Sequence, residues 1–204
     1  MALLLTSSSE TDLTYAPSRL WQISVARYHE MIEAGTLTEN DRLELLEGFL
    51  VEKMTINPPH SFVTETISEM LARLFPDAFF VNTQQPVTLP DSEPEPDVSV
   101  IRGKRRDFVQ HHPGPDDVVL LIEVSDATLQ QDQTWKKRIY ARAEIPVYWI
   151  VNLPDRQIEL YSEPSGASAH PTYRHLVTYQ EDDEIPVAVD GVETAVLPVR
   201  ELLP

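Results

Sequence analysis

Val118-Val-Leu-Leu-Ile-Glu-Val124, Asp132-Gln-Thr-Trp-Lys-Lys-Arg-Ile-Tyr-Ala-Arg-Ala143 and Pro146-Val-Tyr-Trp-Ile-Val151 follow one another in a chain of 204 residues. The first is an uninterrupted apolar run closed by a charged position, the pattern of a central strand buried on both faces. The second sets Trp135, Ile139, Tyr140 and Ala143 along one side of a helix. The third is again apolar and strand-like, so Tyr148 and Trp149 read as sheet packing rather than a base-stacking platform. A strand, helix, strand crossover favours parallel pairing of 118–124 with 146–152. The fold class that follows is α/β (α+β), a mixed central sheet flanked by helices.

Upstream of this unit, prolines punctuate short strands at 78–81, 85–89 and 97–101, the last entered through Pro90-Asp-Ser-Glu-Pro-Glu-Pro96. His60 to Phe75 spaces Phe62, Val63, Ile67, Met70, Leu71 and Leu74 as an amphipathic helix, entered after a break at Pro58-Pro59 and stopped by Pro76. Leu43 to Met54 surrounds Glu47-Gly48, a hairpin signal, and the sheet is expected to start there. Leu20 to Ala34 carries a further helical stripe that Gly35 ends. Downstream, 157–161 and 173–179 alternate around a Pro, Ser, Gly and Ala-rich turn and predict a terminal hairpin. Residues 1–15 are rich in Ser and Thr and lack periodicity, the composition of a flexible arm, which leaves 16–204 as one expected domain.

No apolar stretch approaches the roughly 20 residues of a membrane-spanning helix, and Met1-Ala-Leu-Leu-Leu lacks the layout of a secretory signal. A cytoplasmic address is the expectation. With no cysteine, strong metal ligands are restricted to carboxylate and imidazole. His111-His112 has no third ligand at suitable spacing for zinc. The formal charge of -17 argues against a protein that coats nucleic acid through a broad basic surface. Its basic residues instead concentrate in two runs, Arg102 to Arg106 and Lys136 to Arg138.

Glu123 stands at the carboxyl end of the most buried strand, where open α/β sheets place ligands, and Asp97 opens a second strand. Two carboxylates at strand ends of one sheet are placed to share a divalent cation. Hard cations such as Mg²⁺ and Mn²⁺ prefer oxygen ligands, and the Val124 carbonyl adds another. Lys136 lies four residues after Asp132 and four before Tyr140, so the three share a helical face that can reach back over Glu123. Its ammonium would stabilise charge on a scissile phosphate while the metal activates water. Lys137 points about 100° away around the helix.

Arg42-Leu-Glu-Leu-Leu-Glu-Gly48, Pro96-Asp-Val-Ser-Val100, Ile122-Glu-Val-Ser125, Asp132-x3-Lys136-x3-Tyr140 and Ile145-Pro-Val-Tyr-Trp-Ile-Val151 together resemble the Uma-two family of putative restriction endonucleases, over roughly residues 20–162. The resemblance implies a restriction-endonuclease-like fold, with Glu44, Asp97 and Glu123 as the acidic metal ligands and Lys136 as the catalytic lysine. In the common superfamily pattern the lysine lies two residues after the second acid, a place held here by Ser125. His60 falls where the family often has histidine; with Lys137 and Tyr140 it is a candidate substrate contact.

The resulting expectation is a Mg²⁺- or Mn²⁺-dependent endonuclease acting on DNA, with a homodimer compatible with double-strand cutting. Two other readings fit the same residues: a nuclease-fold binding or regulatory module without turnover, and a metal-dependent hydrolase of another phosphoester.

Overall fold

The structure, a computed structural model, describes residues 20–75 and 78–204. The predicted arm at 1–15 and the predicted stop at Pro76 lie outside them. In chain order the elements are α1 (Val25–Glu33), β1 (Leu43–Leu46), β2 (Phe49–Glu52), α2 (Pro58–Leu74), β3 (Phe79–Thr83), β4 (Val98–Arg102) and β5 (Val118–Ser125). There follow a helical segment α3, built of Leu129–Gln131, Asp132–Lys136 and Lys137–Arg142, then β6 (Val147–Asn152), β7 (Gln157–Pro164), β8 (Tyr173–Gln180), β9 (Glu184–Val189), β10 (Val192–Pro198) and α4 (Val199–Leu202).

The central sheet has six strands in the order β3-β4-β5-β6-β7-β8. Its one parallel pair is β5 with β6, Leu121 opposite Tyr148, joined by α3 as the crossover requires. All eight residues of β5 are buried, because both sheet faces are covered. On one face Leu120, Ile122 and Trp149 pack with Val63, Ile67 and Leu71 of α2 and with Ile185, Val187 and Leu202 from the C-terminal elements. On the other, Leu121, Tyr148 and Ile150 pack with Ile139 and Tyr140 of α3. Truncating a residue such as Ile122 to alanine in such a core costs about 2–5 kcal/mol.

Several boundaries differ from the sequence expectation for local reasons. Helix α2 starts at Pro58 rather than His60, because proline is tolerated in a first turn whose N–H groups have no helical partner. Asn57 caps it, accepting from His60 N at 3.0 Å. Residues 85–89 form no strand: Pro86 and Pro90 remove ladder donors, and the buried Val87 and Leu89 are held by turn bonds to Pro94 and Ser92 carbonyls. The β1–β2 hairpin forms as predicted, yet it is a separate two-stranded sheet rather than the start of the central one. It is tied in through a bridge between Leu45 and Glu93. The hairpin β7–β8 is not the last: β9 and β10 follow, turned by Asp190-Gly191 with both residues at positive φ, the geometry that an Asp-Gly hairpin turn requires.

Candidate active site

Four elements bring their acidic or basic residue to one cavity of ≈ 250 Å³: β1 supplies Glu44, the entry to β4 Asp97, β5 Glu123 and α3 Lys136. His60 and Val124 share its lining, so six of the eight candidate residues meet there. Antiparallel pairing of β4 with β5 sets Val98 opposite Ile122, which places Asp97 beside the end of β5. Asp97 Oδ2 accepts from Val124 N at 2.8 Å, and His60 Nε2 lies 3.0 Å from the same oxygen. Thr64 Oγ1 stands 3.4 Å from the other ring nitrogen of His60. The Val124 N–H thus fixes the Asp97 carboxylate.

Glu123 Oε1 accepts from Tyr140 OH at 2.6 Å and from Lys136 Nζ at 3.0 Å. Lys136 Nζ also lies 3.5 Å from Glu44 Oε1, and the second oxygen of Glu44 accepts from Glu95 N at 3.2 Å. Lys136 therefore does reach back from the helix. The Asp132–Lys136 stretch is π-helical, Lys137 N donating to Asp132 O, and such one-turn bulges recur at functional sites. Ser125, in the usual place of the lysine, is fully buried and donates to Asp132 Oδ2 at 2.7 Å.

One ammonium lies among four buried carboxylates, and the proton affinities follow. Burial pushes the Glu123 carboxyl well up, Lys136 opposes this, and Asp132, Asp97 and Glu44 add to it. Burial would lower Lys136, but Glu123, Glu44, Asp132 and Asp97 together raise it well above its ordinary value, so it stays an ammonium. Asp132 is likewise pushed up by burial, against Lys136 and hydrogen bonds from Ser125 and Thr128.

By type, the donors are the oxygen ligands that hard divalent cations prefer. Seven carboxylates line the cavity against three cationic side chains, and every anionic donor is oxygen. Among the described residues no three His, Asp or Glu side chains already converge at ligand distance. Glu123 and Glu44 instead face the Lys136 ammonium, and Asp97 faces the His60 imidazole.

Two candidates fall outside the cavity. Tyr140 is fully buried beneath Glu123 and cannot meet substrate; it holds the carboxylate instead. Lys137 sits over the Tyr161 ring at 5.3 Å, turned away around the helix. One residue escaped the sequence reading. Glu47, in the hairpin turn at φ 49°, accepts from Trp135 Nε1 at 2.7 Å, from Arg142 at 2.6 Å and from Arg138. Burial would raise its carboxyl, but the bonds from Arg138, Arg142 and Trp135 prevail and hold it below the usual range. This knot fastens the hairpin carrying Glu44 to the helix carrying Lys136. Only the turn dipeptide Glu47-Gly48 marked it in sequence.

A solved structure shares the fold: a putative nuclease belonging to DUF820 from Anabaena variabilis ATCC 29413 superposes with a TM-score of 0.61 at 14% identity, covering 84% of this chain and 96% of that one. No curated protein matches the chain. A family model described as "Putative restriction endonuclease" matches residues 25–200. With the motifs, the mixed sheet and this match in agreement, the chain belongs to the Uma2 family of restriction-endonuclease-like proteins.

Proposed function

We propose that this chain is an endonuclease that hydrolyses DNA phosphodiester bonds with Mg²⁺ or Mn²⁺ at Asp97, Glu123 and Glu44, with Lys136 as the catalytic lysine. The observation that carries the reading is Lys136 Nζ at 3.0 Å from Glu123, in the cavity that Asp97 and Glu44 also line. Asp97 and Glu123, joined by Glu44 and the Val124 carbonyl, would hold the ion. When bound, such an ion supplies Lewis-acid polarisation of the phosphoryl group and a lowered pKa for water.

The chain's own groups position and neutralise. The Val124 N–H and His60 hold Asp97, while Tyr140 fixes the side chain of Glu123. Lys136 presents a permanent ammonium to charge developing on the scissile phosphate, in a buried setting where such stabilisation is strongest. Asp132, held by Ser125, adds a carboxylate that keeps Lys136 charged.

The test is cleavage of a mixed DNA panel with Mn²⁺ by the parent, Asp97→Asn, Glu123→Gln and Lys136→Met proteins. Each variant should lose about 10²–10³-fold or more in kcat, the scale of removing one transition-state donor. Parent-like rates in the variants reject the assignment. A binding module without turnover is the second reading, favoured by the ammonium that already occupies Glu123 and Glu44. Tight Mn²⁺ or DNA binding with no product would select it.

A further inference from the structure

We propose that the strand received by this cavity is unpaired, a single-stranded stretch of nucleic acid with a base resting on Met54 and Ile56, rather than a continuous duplex. The inference rests on the nuclease reading and names its substrate class.

The first observation is the state of the cations in the cavity wall. Arg42 donates to the Met54 carbonyl at 2.9 Å, Lys53 is paired with Glu95 at 2.7 Å, and Lys136 lies on Glu123. Two of the three are paired with carboxylates, while Arg42, exposed and bound only to a neutral carbonyl, keeps its charge. Phosphates flanking the scissile bond therefore meet acidic neighbours such as Glu52 and Asp126, with Arg42 alone among the lining cations left without a carboxylate partner. A duplex brings one charge per about 1.7 Å of axis, twice the density of a single strand, so this acidic wall penalises the duplex more. The net charge of -17 disfavours a dense polyanion over the molecule as a whole.

The second observation is apolar. In a wall rich in charged and amide side chains, Met54 and Ile56 remain 55% and 43% exposed. They offer a surface to the face of a base, which a single strand presents and a duplex keeps stacked inside. Contact with a base face is sequence-tolerant, because every base has one. The third is size: ≈ 250 Å³ lies below the roughly 300–1,000 Å³ of ordinary small-molecule sites, too little to enclose a double helix.

The experiment is fluorescence anisotropy of a labelled 12-nucleotide DNA strand and of its duplex on the full chain, with Ca²⁺ as the divalent ion. The single strand should bind at least about ten-fold tighter, with a salt slope corresponding to about one or two phosphates. The double variant Met54→Ser, Ile56→Ser should weaken single-strand binding about ten-fold, a loss of about 1.4 kcal/mol, at an unchanged melting temperature. Equal or tighter duplex binding, binding of neither form, or an indifferent double variant overturns the inference. Parallel incubation with Mn²⁺ separates the two readings. Duplex cut as fast as single strand overturns the substrate class and keeps the nuclease; single strand bound but never cut does the reverse.

Discussion

At the scale of single residues, the cavity stores unfavourable charge that a cation would relieve. Glu123 and Asp132 are pushed up chiefly by burial, with Lys136 opposing the rise, so above the ordinary carboxylate range the folded chain binds protons at this cluster more tightly than the unfolded chain does. Stability falls as pH rises from the ordinary carboxylate range towards their folded values, and it returns on acidification. Lys136, raised, contributes stability that is complete below the ordinary lysine value and is lost as pH rises from there through its higher folded value, well above neutrality. Glu47 has the opposite sign: held low, it contributes above the ordinary carboxylate range and loses that contribution as pH falls through its lowered value. In chelator, the melting temperature should therefore be higher at pH 6 than at pH 8, and drop again in stronger acid. Each kcal/mol corresponds to about 2–4 °C in a chain of this size. Mn²⁺ should raise the melting temperature more at pH 8 than at pH 6; a metal response independent of pH would contradict a carboxylate cluster as the ion's seat.

At the scale of elements, the site is the meeting of a hairpin with a helix. The β1–β2 turn, which brings Glu44 towards Lys136, is fastened to α3 through Glu47 with Trp135, Arg138 and Arg142. Arg142 extends the tie to Asp91 at 2.7 Å, and Glu47 N donates to Ser92 Oγ, so the 91–95 segment is laced into the same knot. Glu47→Ala should cost about 1–3 kcal/mol, between the values for exposed and buried ion pairs. Hydrogen exchange should quicken at the amides of residues 43–52 while β5 stays protected. Cleavage should fall with the hairpin's loosening, and Glu47→Gln, which still accepts from Trp135, should recover part of both. Unaltered exchange in Glu47→Ala would show that the hairpin is held by other contacts.

For the whole molecule, the surplus of negative charge opposes compactness, so screening should help. Raising NaCl from about 50 to 500 mM, which shortens the Debye length to a few ångströms, should raise the melting temperature; a fall would mean that surface pairs such as Arg102–Asp190 and Arg156–Glu181 outweigh the repulsion. No described helix is long and apolar enough to cross a membrane. The strand, helix, strand unit from Val118 to Asn152 was legible in the sequence because burial on both faces and helical spacing are local patterns, written within a few residues. The order of Glu44, Asp97 and Glu123 along the chain was equally plain, as was the helix bearing Lys136. Residues 85–89 misled because apolar composition resembles a strand even where prolines deny it a ladder, while the β9–β10 hairpin announced itself through Asp190-Gly191 alone. What only the tertiary structure decided is which side chains touch: Lys136 on Glu123, Tyr140 beneath the site rather than in it, and Glu47 bound to a helix 88 or more positions away. Those contacts depend on the rotation of α3 through its π turn and on how a detached hairpin docks. Neither is encoded in periodicity, because both are settled by packing between segments distant along the chain.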